Sequence, residues 1–291
     1  MPGPDGQRRV REYIGSMPSL PTTVAKVLEV CNNPRTSPVD LDRVISLDPV
    51  LMGKVLKLIN SAYYGLPNQV TSLVRAIIML GVNTVKNLAL STAVLDRLAD
   101  KAGFRALNME GFWRHSLCVG VVAKMLARKK GVESQRLDEY FAAGLLHDIG
   151  KIPLNNVLSE DYVKAMGLAD RERIPLYAAE RQAIDMDHAE AGGMIADAWH
   201  LDGPIADAIR FHHSIPDYEG PNEQILLAVS VADHYANREN IGFSGCLYPD
   251  KPAPDAWERL GVPKAWLEDI DAAVAAEIEK ASVFLKGAAK A

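Results

Sequence analysis

The sequence predicts an all-α protein. Apolar residues recur with the 3.6-residue period of a helix along most of the chain, and no stretch shows the two-residue alternation of a half-buried strand. Proline and glycine then divide the apolar runs into segments of helical length. With 291 residues, 48% of them hydrophobic and 24% charged, the chain can bury a large core as one domain or two small ones. A net charge of −5 argues against a broad surface for nucleic acid or anionic membrane, so no stable nucleic-acid binding is expected. No apolar run nears the roughly 20 residues of a membrane span. The N-terminal MPGPDGQRRV has no secretory apolar segment, and a cytoplasmic location is expected. Cys31, Cys118 and Cys246 lie far apart without a Cys-x-x-Cys pair, which suits a reducing compartment.

In chain order, the first ten residues read as a frayed end. Residues 10–100 form an N-terminal helical subdomain of short helices punctuated by Pro18, Pro21, Pro34, Pro38, Pro49, Gly65, Pro67 and Gly81. Residues 101–240 form a second subdomain of longer helices that holds all seven histidines. Residues 241–291 form a loop and a closing amphipathic helix around 265–285.

The polar residues can be placed on these helices. In "FWRHSLCVGVVAKMLARK", His115, Val119, Val122 and Leu126 follow i, i+4, i+7, i+11, which puts His115 on the apolar stripe. In "DEYFAAGLLHDIGK", Phe141, Gly144, Leu145 and Asp148 share a face with His147 on its edge; Gly150 and Pro153 are expected to stop that helix. In "DHAEAGGMIADAWH", Asp187 and Glu190 read as a capping box, and His188 lines up with Gly192, Ile195 and Trp199. Ile205, Ala208, Ile209 and His212 form a further stripe, followed directly by His213. Leu226, Val229, Ser230 and Asp233 form the last. Five helices thus aim a histidine or an aspartate inward.

Each alone has an ordinary explanation, such as a core histidine bonded to a carbonyl, a helix-start residue or a buried cap. Together they would leave five imidazoles and two carboxylates to be satisfied separately, whereas one divalent-metal centre satisfies all of them. Histidine and aspartate without thiolate suit Zn, Fe or Mn. Asp148, at a helix end carrying partial negative charge, is well placed beside a cation. His200 and His234 read as structural or surface residues.

This order of His115, His147–Asp148, His188, His212–His213 and Asp233 resembles the HD superfamily of metal-dependent phosphohydrolases. "LLHDIGK" is similar to its HD-GYP branch, the cyclic-di-GMP phosphodiesterases. Where that branch carries Gly-Tyr-Pro, this chain reads "HHSIPDYEGPNE". "SMPSLPTTVAKVLEV", "ISLDPVLMGKVLKLINSAYYG" and "SLVRAIIMLG" resemble the HDOD domain, the HD-related output domain of bacterial signalling proteins, from about Met17 to Arg238. In these pieces Pro49 reads as a first-turn residue after Asp48, Gly81 as a helix stop and Asn60–Ser61 as a helix end.

The resemblance implies an HD bundle preceded by the N-terminal subdomain, and one or two divalent ions. Asp148 would bridge them, with His115, His147 and Asp233 on one side and His188, His212 and His213 on the other. The HDOD family is mostly regulatory, and many members have lost ligands that this chain keeps. The leading expectation is therefore a signalling protein with a retained metal centre, acting through a protein partner or a small nucleotide ligand. The alternative is a phosphohydrolase or phosphodiesterase acting on a nucleotide, in which Asp148 and Lys151 are catalytic and Lys151 meets the substrate phosphate or the nucleophile. Lys151 could also be simply solvated. Glu180 is a weaker candidate that reads as a surface residue. The site's mouth is expected at "SIPDYEGPNE", where Pro216 and Pro221 stiffen the chain and Asp217 and Glu219 repel anions. Weak or absent cyclic-di-GMP hydrolysis follows from that placement.

Overall fold

Prolines and short polar caps set the early helices. In the computed structural model, which describes residues 4–98 and 106–288, the first six are α1 (Pro4–Ser16), α2 (Thr22–Cys31), α3 (Pro38–Ile45), α4 (Pro49–Ile59), α5 (Leu73–Leu80) and α6 (Val82–Leu98). Ser37 and Asp40 cap α3 reciprocally, each side chain accepting from the other's backbone N–H. Asp48 accepts from Val50 and Leu51 N–H at 3.1 and 2.9 Å, and Pro49 takes the first turn of α4. Gly81 ends α5 at φ 90°, a conformation that glycine adopts without steric cost. The expected frayed start is instead helical from Pro4: Val10 and Ile14 are buried, and Arg9 donates to Val157 O at 2.7 Å.

Beyond the subdomain junction expected at 100–101, which lies outside the described residues, come α7 (Met109–Lys130), α8 (Leu137–Leu146), α9 (Lys151–Val157) and α10 (Ser159–Glu172). These are followed by α11 (Leu176–Ile184), α12 (His188–Ala198), α13 (Gly203–Phe211) and α14 (Glu223–Arg238). The chain closes with α15 (Ala256–Leu260), α16 (Asp271–Ala281) and α17 (Val283–Ala288). No strand occurs among the described residues, and the fold is all-α. The closing helix, expected as one piece, breaks at Ser282. There the hydroxyl donates to Glu279 O at 2.7 Å, a local bond that competes with helix continuation. No single helix among the described residues is long and apolar enough to cross a membrane.

One continuous apolar core joins all three parts of the chain, with Val24, Leu90, Phe112, Leu145, Ile195 and Phe284 among its members. A second packs α7 and α14 against the closing helices through Val119, Leu226, Val229, Tyr235 and Val274. Two glycines let α7 and α8 touch backbone to backbone: a Cβ on Gly144 would lie 2.8 Å from Gly120 N and Cα. Pro153 does not end α8, which stops at Leu146. It lies in the first turn of α9, where no intrahelical N–H bond is lost.

A buried ion pair ties the early helices to this bundle. Lys124 on α7 donates to Asp138 of α8 at 2.7 Å, Tyr64 OH donates to the same oxygen at 3.2 Å, and the ammonium lies 4.4 Å from the Tyr63 ring centroid. Removing one partner leaves the other charge buried and alone, so Asp138→Ala should lower unfolding free energy by about 3 kcal/mol. Urea unfolding measures this, and a loss below about 1 kcal/mol would show the pair to be dispensable.

Candidate metal centre

The helix pattern brings the seven predicted residues to one point. His115, on the α7 stripe, meets Asp233 of α14 with Nε2 and Oδ1 2.9 Å apart. His147 follows the last residue of α8 and donates from Nδ1 to Gly144 O at 2.7 Å. That bond fixes the tautomer and aims Nε2 at the cluster, 3.4 Å from Asp148 Oδ2 and 3.7 Å from Asp233 Oδ1. His115 Nε2 is 3.9 Å from the same Asp148 oxygen. The other Asp148 oxygen, Oδ1, faces His188 Nε2 at 3.3 Å and His212 Nε2 at 3.7 Å. His188 Nε2 lies 3.0 Å from His213 Nε2 and 3.3 Å from His212 Nε2.

These contacts are chemically incomplete without a cation. His188 donates from Nδ1 to Glu180 Oε2 at 2.6 Å, and His212 from Nδ1 to Ala208 O at 2.8 Å. With Nδ1 the donor in both rings, each leaves Nε2 facing the other, and only a shared proton or a metal ion can join two such nitrogens. His147 Nε2 and Asp148 Oδ1 are buried with no hydrogen-bond partner. Two nitrogens each ~2.1 Å from one ion, at the usual angles, lie about 3.0–3.4 Å apart. The observed imidazole spacings match. His188, His212 and His213 form one group able to hold an ion, and His115, His147 and Asp148 form another.

Electrostatics keep the two carboxylates ionised and His212 and His213 unprotonated. Burial pushes the Asp148 carboxyl pKa up, but the charges of His147, Lys151 and His188 outweigh it and hold the group far below the carboxylate range. Burial likewise opposes ionisation of Asp233, and the hydrogen bond from His115 together with the nearby His147 prevails. Burial lowers His212 to about 3 and His213 well below its usual value, so protons do not compete for these nitrogens at neutral pH. His147 is pushed down by burial and raised further by Asp148, with a net rise.

Lys151 is not solvated. It begins α9, is 3% exposed, and donates to Asp148 Oδ2 at 2.6 Å. Burial lowers its pKa, but Asp148 raises it more, so it stays an ammonium. Glu180 is not the surface residue that was expected. It is fully buried, and its Oε2 also accepts the His188 backbone N–H at 2.9 Å. The signal was present in spacing, since Glu180 sits four residues from both Leu176 and Ile184, each 1% exposed. Only half of the expected capping box forms: Asp187 accepts from Glu190 N–H at 2.8 Å, while Arg181 occupies its other oxygen. His200 is exposed, and His234 donates to Asp250 O; neither joins the cluster.

Tyr218 and Asn222 both donate to Asp207, which folds the 214–222 segment back on α13. Beside His213 stand Tyr177, stacked at 4.5 Å, and Asp250, 3.9 Å away. Asn237 backs Asp233 at 2.9 Å.

Because Glu180 fixes the His188 ring, Glu180→Ala should weaken metal affinity roughly 10- to 100-fold. Chelator competition reads this directly, and an unchanged affinity would remove Glu180 from the centre.

A family model for the HDOD domain matches residues 17–215. The chain belongs to the HDOD family. The matched HDOD region holds every cluster residue except Asp233. An HDOD domain protein of unknown function from Geobacter sulfurreducens is 25% identical, with a TM-score of 0.73 over 95% of this chain and 97% of that one. A provisionally named signal transduction protein from Marinobacter aquaeolei VT8 has a TM-score of 0.75 at 18% identity, over 98% of this chain and 65% of that one. A provisionally named phosphohydrolase from Shewanella amazonensis SB2B has a TM-score of 0.63 at 22% identity, over 97% of both chains. Among curated proteins, an uncharacterised one from Treponema pallidum (strain Nichols) is 28% identical over 226 residues, 77% of this HDOD chain and 42% of the relative. Ribonuclease Y of Mycoplasmoides gallisepticum is 29% identical over 163 residues, 54% of this chain and 24% of the relative. The chain therefore spans less than half the length of both curated relatives.

Proposed function

We propose that this HDOD protein is a signalling-class protein whose retained centre holds two divalent ions and hydrolyses a phosphoester. The observation that carries the proposal is Asp148, which offers one oxygen to His115 and His147 and the other to His188 and His212. Fe, Mn or Zn suits this donor set. When bound, a pair of such ions polarises a phosphoryl oxygen and lowers the pKa of water.

The protein's own groups have separate tasks. Asp148 bridges the two donor groups. Lys151 holds that carboxylate in place and neutralises it from the side. Glu180 orients His188, and Tyr177 supports His213. His213 and Asp233, with side chains 17% and 15% exposed, form the edge that a substrate can reach. The Shewanella phosphohydrolase's shared fold and the similarity to Ribonuclease Y are in keeping with phosphoester chemistry.

The test is turnover of a panel of phosphomonoesters, nucleotides and cyclic-di-GMP by protein loaded in turn with Mn, Fe and Zn, with metal content measured. Asp148→Ala should abolish any activity seen. Cyclic-di-GMP turnover should be weak, since the Gly-Tyr-Pro segment is missing. A second reading, in which metal only structures a signalling module, is favoured by burial: His115, His147, Asp148, His188 and His212 are each 3% exposed or less. Full metal occupancy without turnover of any phosphoester would establish that reading instead.

A further inference from the structure

The accessible edge of the cluster borders a cationic groove. Asn237, bonded to Asp233, and Asp250, beside His213, both line a cavity of about 560 Å3 between the end of α14 and the 247–251 loop. Arg173, Arg238 and Lys251, from three different segments, are among its lining residues. Arg238 is shared with Glu239, but Arg173 and Lys251 form no ion pair among the described residues. A lining with three cationic residues and one acidic residue departs from the chain's overall charge of −5. Tyr248, 38% exposed, adds an open aromatic ring to the same wall.

Arg173 is also a costly residue for its position. It ends α10 at φ 56°, the left-handed region in which glycine is the ordinary choice. A non-glycine residue there sacrifices some stability, and it places a cationic residue in the lining of the groove.

We infer that this groove binds the second phosphate of a nucleotide whose reacting phosphoester lies at the His213–Asp233 edge, with the base against Tyr248. Arg173 and Lys251 supply charge-assisted hydrogen bonds to phosphate oxygens, and the groove, open to solvent, admits a ligand from the side. Tyr248 offers a flat face to any base, so the groove selects for phosphate count more than for base identity. The inference rests on the proposed phosphoester chemistry only for the ligand's other end.

Calorimetric titration of the full chain with ADP, inorganic phosphate and adenosine tests it, with metal content measured in parallel. ADP should bind more tightly than adenosine. Arg173→Gly and Lys251→Glu should each weaken ADP about tenfold or more with metal content unchanged, and Arg173→Gly should melt no lower than wild type. Tyr248→Ala should weaken ADP several-fold and leave inorganic phosphate unaffected. Equal ADP affinity in both charge variants, or a wild type that does not distinguish ADP from adenosine, would overturn the inference. The two readings fail separately. A metal-loaded protein whose ADP binding ignores these residues refutes the groove alone, while a protein that takes up no metal yet loses ADP binding in both variants refutes the metal centre alone.

Discussion

Asp148→Ala should release at least one equivalent of metal and lower the melting temperature by on the order of 10 °C. Two causes add. Lys151 Nζ, 2.6 Å from the lost carboxylate, becomes a buried ammonium without its nearest counter-charge. The imidazoles on either side lose the group that joins them, and any stability conferred by bound metal goes with it. The protein part alone is worth about 3–5 kcal/mol, as for other broken buried ion pairs. Asp148→Asn separates the effects: the amide oxygen can still accept from Lys151, so metal should be lost with a smaller fall in melting temperature. Calorimetry with elemental analysis reads both. A variant that keeps its metal and melts like wild type would rule out the central role given to Asp148.

Gly150→Ala should be more damaging still, although it adds one methyl group. A Cβ there would lie 1.8 Å from His188 O and 2.4 Å from Gly192 N, both backbone atoms of α12 that cannot swing aside. Either α12 moves, carrying His188 away from Asp148, or the chain fails to fold. A destabilisation of about 4 kcal/mol or more is expected, together with loss of metal from the His188 group. Gly167→Ala is the control: it lies exposed in α10 with nothing within 4 Å of its Cβ, and should stabilise the protein by about 0.5–1 kcal/mol. Thermal melts of the two variants side by side suffice. If Gly150→Ala folds and binds metal normally, the close packing of the Asp148 turn on α12 is not needed.

Much of the centre was legible because its residues break the helical pattern they sit in. His115 and His188 interrupt apolar stripes, and an ionisable group on a buried face requires a partner. Asp48, Pro49 and Gly81 were readable because caps and stops act within a few residues. Glu180 obeyed the same spacing but stood beside Arg181 and Gln182, so its burial depended on how α11 rolls against α12, which no local pattern encodes. The Lys124–Asp138 pair was hidden for the same reason: Asp138 reads as a first-turn acid, and Tyr64 reaches it across 74 residues of sequence. Proline and acidic residues mark 214–222 as a surface segment without saying which way it folds, which the bonds of Tyr218 and Asn222 to Asp207 set.

The two halves of the centre differ in how far along the chain they must reach. His188 and His213 are 25 residues apart, whereas His115 and Asp233 are 118 apart. Closing the longer loop costs about 1.4 kcal/mol more in chain entropy. During synthesis, which runs from the N-terminus, the histidine-rich half is complete before α14 has left the ribosome. The half that contains Asp233 waits for that last helix. Asp233 is the last of the seven side chains to be made, and docking of α14 completes the cluster. Assembly has a built-in order, set by where Asp233 falls in the sequence.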